Sequence, residues 1–137
     1  MRLDHMVLWV EDPIRSCEFY TSVVGLSPVR LDEFKAGKTM FVSVRIADDT
    51  IIDLFPIAAV PKIEMIPGAK GTAGHKTNHV CLAMTRAEYD ALAERLAKNG
   101  TPVGHHMENQ FGARGFAPKA FYFKDPDGNV LEARYYE

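Results

Sequence analysis

The sequence has few cysteines, no excess of positive charge and no long apolar run. Two cysteines in 137 residues exclude a disulfide framework, and we expect both to be buried free thiols in a reducing, cytoplasmic setting. The 16 basic and 18 acidic side chains give a net charge of −2, without the basic footprint of a nucleic-acid binder. No stretch approaches the ~20 apolar residues of a membrane span, and the polar first residues leave no room for a signal-peptide core. We therefore expect neither nucleic acid nor membrane as a partner.

What the sequence does contain is an internal repeat. Residues 3–10 and 77–84 are both typical of short buried strands that open on a polar residue and a histidine. A helical pattern follows each strand. His79 lies 74 residues after His5, and the front halves of the two repeats superimpose at this offset.

Each predicted helix carries its own start and stop signals. In the first repeat, Asp12 is a predicted N-cap, Pro13 occupies the first helical position and Gly25 ends the helix. In the second, Thr85 and Glu88 have the spacing of a capping box. Both repeats therefore predict a strand followed by an amphipathic helix.

The back halves of the repeats match at a different offset. Residues 41–55 align with residues 120–134 without a gap at an offset of 79, so the second repeat carries five extra residues. These fall in the loop 104–118, which we expect to act as a lid. The later strands are predicted to be joined by tight turns.

The repeat predicts an α+β fold of two βαβββ modules in a single domain covering residues 1–137. Module 1 spans residues 1–55 and module 2 spans residues 77–137. Residues 56–76 are the connector, and their prolines and glycines favour an extended crossing over a further helix or strand.

Four titratable side chains occupy matching positions of the repeat. The offsets superimpose His5 on His79 and Asp53 on Glu132. Because strand side chains alternate between faces, each pair belongs to the sheet face that carries Trp9 rather than the face that packs on the helix. If a pseudo-twofold axis relates the modules, all four converge on one concave surface. Imidazole nitrogens and carboxylate oxygens are ligands for Zn, Fe, Mn, Co and Ni, so this pattern favours a metal site.

Three stretches of the chain resemble the vicinal oxygen chelate superfamily. They are residues 3–12, LDHMVLWVED, residues 19–26, FYTSVVGL, and residues 121–132, FYFKDPDGNVLE. This superfamily includes glyoxalase I, fosfomycin-resistance thiol transferases, methylmalonyl-CoA epimerase, extradiol dioxygenases and bleomycin-binding proteins. The stretch 111–115, FGARG, is most similar to small glyoxalase-domain proteins.

The resemblance implies that the modules pair into a curved mixed-sheet cup with one divalent transition metal, Zn, Ni, Co, Mn or Fe, at its base. It places His5, His79 and Glu132 on the three ligand positions of the metal-dependent members. Asp53 falls where glyoxalase I and the epimerase have a fourth ligand, usually a Glu. Because Asp is one methylene shorter, ligation through a water molecule and direct action on the substrate both stay open.

The implied activity is a metal-dependent lyase or isomerase of the glyoxalase type, acting on a small molecule that chelates the metal through vicinal oxygens. The metal stabilises the enediolate, and Glu132 or Asp53 moves the proton. One alternative is an Fe or Mn extradiol dioxygenase, with His105 or His106 and Tyr122 as further acid and base groups. A thiol transferase and a metal-free protein that sequesters an antibiotic, as in bleomycin resistance, are the others.

Two further side chains are candidates for substrate binding. Arg114, in the loop 104–118, has the charge to hold a carboxylate, and Trp9 has the surface to contact an apolar group. The resemblance also implies a homodimer, since members of this size complete their cups by pairing or exchanging modules. In such a dimer, His5 of one chain joins His79 and Glu132 of the other.

Overall fold

The chain divides into two compact units, Met1–Lys76 and Thr77–Glu137. Each unit carries a four-stranded sheet of parallel and antiparallel strands with few helices. This confirms the predicted α+β class and the βαβββ order of each repeat. The computed structural model describes residue 3, residues 5–65, residue 77, residues 79–112 and residues 114–136.

The first unit builds one mixed sheet with a helix on it. Its elements are β1 (His5–Val10), α1 (Pro13–Phe19), a π-helical turn (Tyr20–Val24), β2 (Ser27–Val29), α2 (Leu31–Lys35), β3 (Val42–Ala47), β4 (Thr50–Pro56), a 3₁₀ turn (Ile57–Ala59) and α3 (Val60–Ile63). The strand order is β1, β4, β3, β2, and β1 pairs with β4 in parallel while the other pairs are antiparallel. Helix α1 packs on β3 and β4.

The predicted signals of the first helix are confirmed. The Asp12 carboxylate accepts hydrogen bonds from the backbone N–H groups of Ile14 and Arg15, and Pro13 occupies the first turn. Gly25 closes the helical segment with a positive φ of 92°, which L side chains rarely adopt. Local capping chemistry therefore fixes both ends of this element.

The prediction of an extended connector was wrong for residues 57–63. They form the 3₁₀ turn and the short helix α3. Pro61 sits in the first turn of α3, where its fixed φ suits a helix and its missing N–H would have had no partner anyway. The rest of the predicted connector, residues 66–76, lies outside the described residues.

The second unit repeats the same order. Its elements are β5 (Val80–Ala83), α4 (Arg86–Lys98), β6 (Met107–Gly112), β7 (Gly115–Lys124) and β8 (Val130–Tyr135). The strand order is β5, β8, β7, β6, with β5 parallel to β8 and the remaining pairs antiparallel. The tight turn between β7 and β8 is closed by Asp125, whose carboxylate accepts hydrogen bonds from Asp127 and Asn129.

Helix α4 begins at the predicted capping box. The Thr85 hydroxyl accepts from the backbone N–H of Glu88, and the Glu88 carboxylate accepts from the backbone N–H of Thr85. Its buried stripe of Tyr89, Leu92 and Leu96 faces the unit's core, and the helix packs on β8. The apolar side of α4 thus covers the face of the sheet opposite to the one that carries Glu132.

The loop expected over residues 104–118 is largely a β-hairpin. β6 and β7 pair from Met107 with Ala120 to Gly112 with Gly115, so most of the expected lid is strand. Gly115 has a φ of +93°, which the reversal of the chain requires. The surplus residues of the second repeat therefore lengthen a hairpin.

Strand register sets which side chains share a face within each unit. In the first unit, Asp53 lies opposite Val7 on β1 and opposite Ser43 on β3. In the second, Glu132 lies opposite Cys81 on β5 and Tyr122 on β7. In each unit, the acid therefore lies on the last strand, between the unit's first strand and the strand that precedes it in the chain. Within the described ranges, no helix has the length and apolar character needed to span a membrane.

Candidate functional site

A histidine and a glutamate face each other on the second unit's sheet. Nε2 of His79 lies 3.3 Å from Oε2 of Glu132. Glu132 is 1% exposed, whereas the His79 side chain is about one-third exposed. A buried carboxylate oxygen and an accessible imidazole nitrogen therefore point to the same small volume.

The other oxygen of Glu132 is held by Arg134, a residue that the sequence analysis did not select. Nε of Arg134 donates a 2.9 Å hydrogen bond to Oε1, and its Nη2 forms an ion pair with the same oxygen. Nη1 donates longer hydrogen bonds to the backbone carbonyl of Gln110 and the hydroxyl of Tyr136. Alternation along β8 places Arg134 on the face of Glu132, so the i, i+2 spacing was the available signal.

A cavity of about 310 Å³ opens over this pair. Its lining is His79, Cys81, Ala83, Phe111, Arg114, Glu132, Arg134 and Tyr136. Arg114 is exposed at the end of the hairpin, and its guanidinium carbon lies 5.0 Å from the centre of the Tyr136 ring. The structure therefore brings three of the selected residues, His79, Glu132 and Arg114, around one space.

Two more groups in the second unit lie close to Glu132. The pKa of the Tyr122 phenol is raised by desolvation and by the neighbouring Glu132 carboxylate, so it remains a neutral hydroxyl at physiological pH. The pKa of the Cys81 thiol is raised by desolvation and by the Glu132 charge. Cys81 is exposed, so the expectation that both cysteines are buried was wrong here, while Cys17 is buried. A raised thiol pKa makes Cys81 a poor nucleophile.

In the first unit, Asp53 is buried and held by one neutral donor. The Ser43 hydroxyl donates a 2.6 Å hydrogen bond to Oδ1 of Asp53. His5 is exposed at the start of β1, where it pairs with Ile51, two positions before Asp53 on β4. His5 and Asp53 thus share one face of this unit's sheet, as alternation predicts.

Trp9 is part of an aromatic group in the first unit. Its ring meets Phe55 edge to face at 5.9 Å, and Phe55 stacks on Phe41 at 4.2 Å. Trp9 is partly exposed, so one surface of the indole remains available for contact. Phe123 is buried in the second unit against Phe121.

The adjacent histidines after α4 differ in their surroundings. The hydroxyl of Tyr89 and Nδ1 of His106 lie 2.7 Å apart, and the His106 ring also meets Phe121. His105 is exposed. His106 is therefore committed to the packing of α4 on the sheet rather than to the cavity around Glu132.

Each unit carries side chains of the kinds that bind metal ions. In neither unit do the described residues gather three His, Cys, Asp or Glu side chains closely enough to hold a metal by themselves. The second unit offers one imidazole and one carboxylate oxygen at short range, and both are of the type that zinc and neighbouring transition metals accept. The donor chemistry therefore fits a divalent metal, with further ligands required.

Known proteins are similar in sequence to this chain over most of its length. The family model for the Glyoxalase/Bleomycin resistance protein/Dioxygenase superfamily matches residues 2–133. The lactoylglutathione lyase of Escherichia coli O157:H7 is 30% identical over 135 residues, which cover 96% of this chain and 90% of that protein. The lactoylglutathione lyase of Salmonella typhimurium is 28% identical over the same share of both chains.

Solved structures share the fold. An integron cassette protein from the mobile metagenome of V. cholerae superimposes with a TM-score of 0.77 at 27% identity, covering 100% of this chain and 96% of that one. A lactoylglutathione lyase from Agrobacterium tumefaciens superimposes with a TM-score of 0.71 at 22% identity, covering 98% and 92%. With the family match across both units, these likenesses confirm the resemblance drawn from the sequence motifs: the chain belongs to the Glyoxalase/Bleomycin resistance protein/Dioxygenase superfamily.

Proposed function

We propose that the protein is a divalent-metal-dependent lyase or isomerase of the glyoxalase type, acting on a small substrate with two neighbouring oxygens. The observation that carries this is the 3.3 Å approach of His79 Nε2 to Glu132 Oε2 in an open cavity. The 30% identity to a lactoylglutathione lyase supports the same reaction class.

The proposed metal ligands are His5, His79 and Glu132, with Asp53 as a fourth acidic group. Their nitrogen and oxygen donors suit Zn, Ni, Co, Mn and Fe alike. A metal bound there would act as a Lewis acid and stabilise negative charge on the substrate's oxygens. The chain would supply two imidazoles and a carboxylate as ligands. The ion pair with Arg134 orients the carboxylate of Glu132.

A carboxylate then moves the substrate proton. Asp53 and Glu132 are the two candidates, because both are buried acids on the sheet face away from the helices. Burial keeps water from competing with the carboxylate for the substrate proton. The Ser43 hydroxyl donates a short hydrogen bond to Asp53, which fixes the orientation of the carboxylate.

Arg114 and Trp9 are proposed to bind the remainder of the substrate. The guanidinium of Arg114 lies at the cavity and offers a charge for a carboxylate. Trp9 offers a partly exposed indole for an apolar group. A substrate with a polar chelating end and a carboxylate on its tail suits this arrangement of side chains.

The alternative is an Fe or Mn extradiol dioxygenase, which uses the same two histidines and one glutamate. Tyr122 favours it, since a neutral phenol beside Glu132 and edge-on to His79 at 5.3 Å can donate a hydrogen bond to a substrate oxygen. Activity assays on two substrates distinguish the two functions. We expect protein reconstituted without oxygen with Ni²⁺ or Zn²⁺ to turn over the hemithioacetal of methylglyoxal and glutathione. Ring cleavage of a catechol by the Fe²⁺ form alone, once oxygen is admitted, would overturn the lyase in favour of the dioxygenase.

We also propose that the protein is a cytoplasmic homodimer, as the family resemblance implies. The exposed pair Phe111 and Phe116, at 75% and 68% exposure, supplies apolar surface of the kind that subunit contacts cover. Sedimentation at micromolar concentration tests this, with a dimer expected and a monomer contradicting it.

A further inference from the structure

The ion pair of Glu132 with Arg134 needs an explanation other than stability. Both side chains are buried, with exposures of 1% and 7%. Removing two charges from water is costly, and buried pairs are often no more stabilising than apolar residues of similar size. Such a pair on one face of one strand therefore points to a role in the cavity it lines.

The guanidinium occupies one carboxylate oxygen completely. Nε and Nη2 of Arg134 both donate to Oε1 of Glu132. Nη1 is directed to the Gln110 carbonyl and the Tyr136 hydroxyl, so the guanidinium is anchored on its far side as well. Only Oε2 remains, and it faces His79. Glu132 thus presents a single oxygen to the cavity.

Among the described residues of the first repeat, no cation pairs with Asp53 in this way, and this makes the first repeat an internal comparison. The position that matches Arg134, at the offset of 79, is Phe55, whose ring stacks on Phe41. Asp53 is held by the neutral hydroxyl of Ser43 instead. The two acids therefore differ in the group that holds them: a cation fixes Glu132, whereas a neutral donor holds Asp53.

We propose that Arg134 is a positioning residue that holds Glu132 as a one-oxygen metal ligand, with Oε1 held by the guanidinium and Oε2 facing His79. This rests on the proposed metal-dependent function. The planar fork of the guanidinium, with Nε and Nη2 both on Oε1, fixes the geometry of the carboxylate. Holding Glu132 to one oxygen would leave a bound metal able to take both oxygens of the substrate.

The test is the visible spectrum and affinity of Co²⁺ bound to the full-length protein. In Arg134→Met, Oε1 of Glu132 is released to bind the metal too, so the Co²⁺ bands weaken as the coordination number rises. Co²⁺ affinity is held within about tenfold, while turnover of the hemithioacetal falls about 10- to 100-fold, the range typical of losing a partner of a metal ligand. Arg134→Lys, which keeps the charge without the fork, recovers part of the spectrum and part of the turnover.

Arg86→Met is the matched control, because Arg86 is an exposed arginine on α4 that does not line the cavity around Glu132. It should keep the spectrum and the turnover of the unmodified protein. If Arg134→Met does not fold, the visible spectrum of Co²⁺ bound to Arg134→Lys provides the test. An unchanged spectrum and unchanged turnover in the Arg134 variants would overturn the inference. A protein that shows no Co²⁺ bands even without substitution would overturn the metal centre itself.

Discussion

Oγ of Ser43 donates a 2.6 Å hydrogen bond to Oδ1 of Asp53 across the antiparallel pair β3 and β4. At the same place in the second unit, Tyr122 lies across from Glu132 on the neighbouring strand. Each acid of the repeat is therefore paired with a hydroxyl-bearing residue of the next strand. The internal symmetry extends beyond the acids to their neighbours in the sheet.

The first prediction concerns the carboxylate of Asp53. Asp53→Asn keeps the size and the hydrogen bond but removes the base, so kcat for the hemithioacetal should fall while the metal content stays the same. Ser43→Ala is the control, because it leaves the carboxylate and removes only its hydrogen bond, so its effect should be smaller. Full activity in Asp53→Asn would rule out Asp53 as the base.

The second prediction concerns Arg114. Arg114→Ala should raise KM for the glutathione hemithioacetal about fivefold with kcat little changed, since an exposed charge contact is worth ~1 kcal/mol at most. The hemithioacetal of methylglyoxal with 2-mercaptoethanol, which has no carboxylate, should show no such rise. An equal effect on both substrates would mean that Arg114 does not bind the carboxylate.

The third prediction concerns the start of α4. Thr85→Ala removes the capping box and should lower the free energy of unfolding by about 1 kcal/mol, measured by urea denaturation.

Hydrogen bonds from the backbone and side chain of Thr85 lower the pKa of Glu88 below 4.5. The stability that Glu88 contributes is therefore present above its unfolded pKa and lost as the pH falls through the folded one. Stability curves of Glu88→Gln and the unmodified protein should converge in acid, and a constant difference at all pH values would contradict this.

The fourth prediction concerns Tyr89. Desolvation, with smaller contributions from Tyr135 and Asp90, raises the pKa of its phenol from 10.0 to about 12. A raised folded pKa means that the stability from the neutral phenol is complete below pH 10 and is lost as the pH rises toward 12. Tyr89→Phe cannot ionise, so its free energy of unfolding should decline less across this window. Parallel declines in the two proteins would show that Tyr89 does not titrate there.

Much of the fold could be predicted because its signals are local or repeated. The Asp12 and Pro13 start of α1 and the Thr85 and Glu88 box of α4 depend on contacts within one helical turn. The repeat then supplied the order of helix and strands along the chain by analogy between its two halves. Residues 57–63 and the loop 104–118 were misjudged because proline and glycine serve helix starts and hairpin turns as well as extended chain.

The candidate site could be predicted in part. Spacing and alternation placed His79 and Glu132 on one face, and the structure brings them to 3.3 Å. Arg134 was missed, although the same alternation put it on that face, because arginine is more often at the surface and its pairing depends on burial beneath the hairpin. The exposure of Cys81 likewise follows from an open cavity that no local pattern reports.

The measurement that tests the account most directly is the metal content of purified protein by elemental analysis. We predict close to one divalent transition metal per chain, and its loss in both His79→Ala and Glu132→Gln. His105→Ala, which alters an exposed histidine outside the cavity lining, should retain the metal. Unchanged metal content in both the His79 and the Glu132 variants would contradict the proposed metal centre.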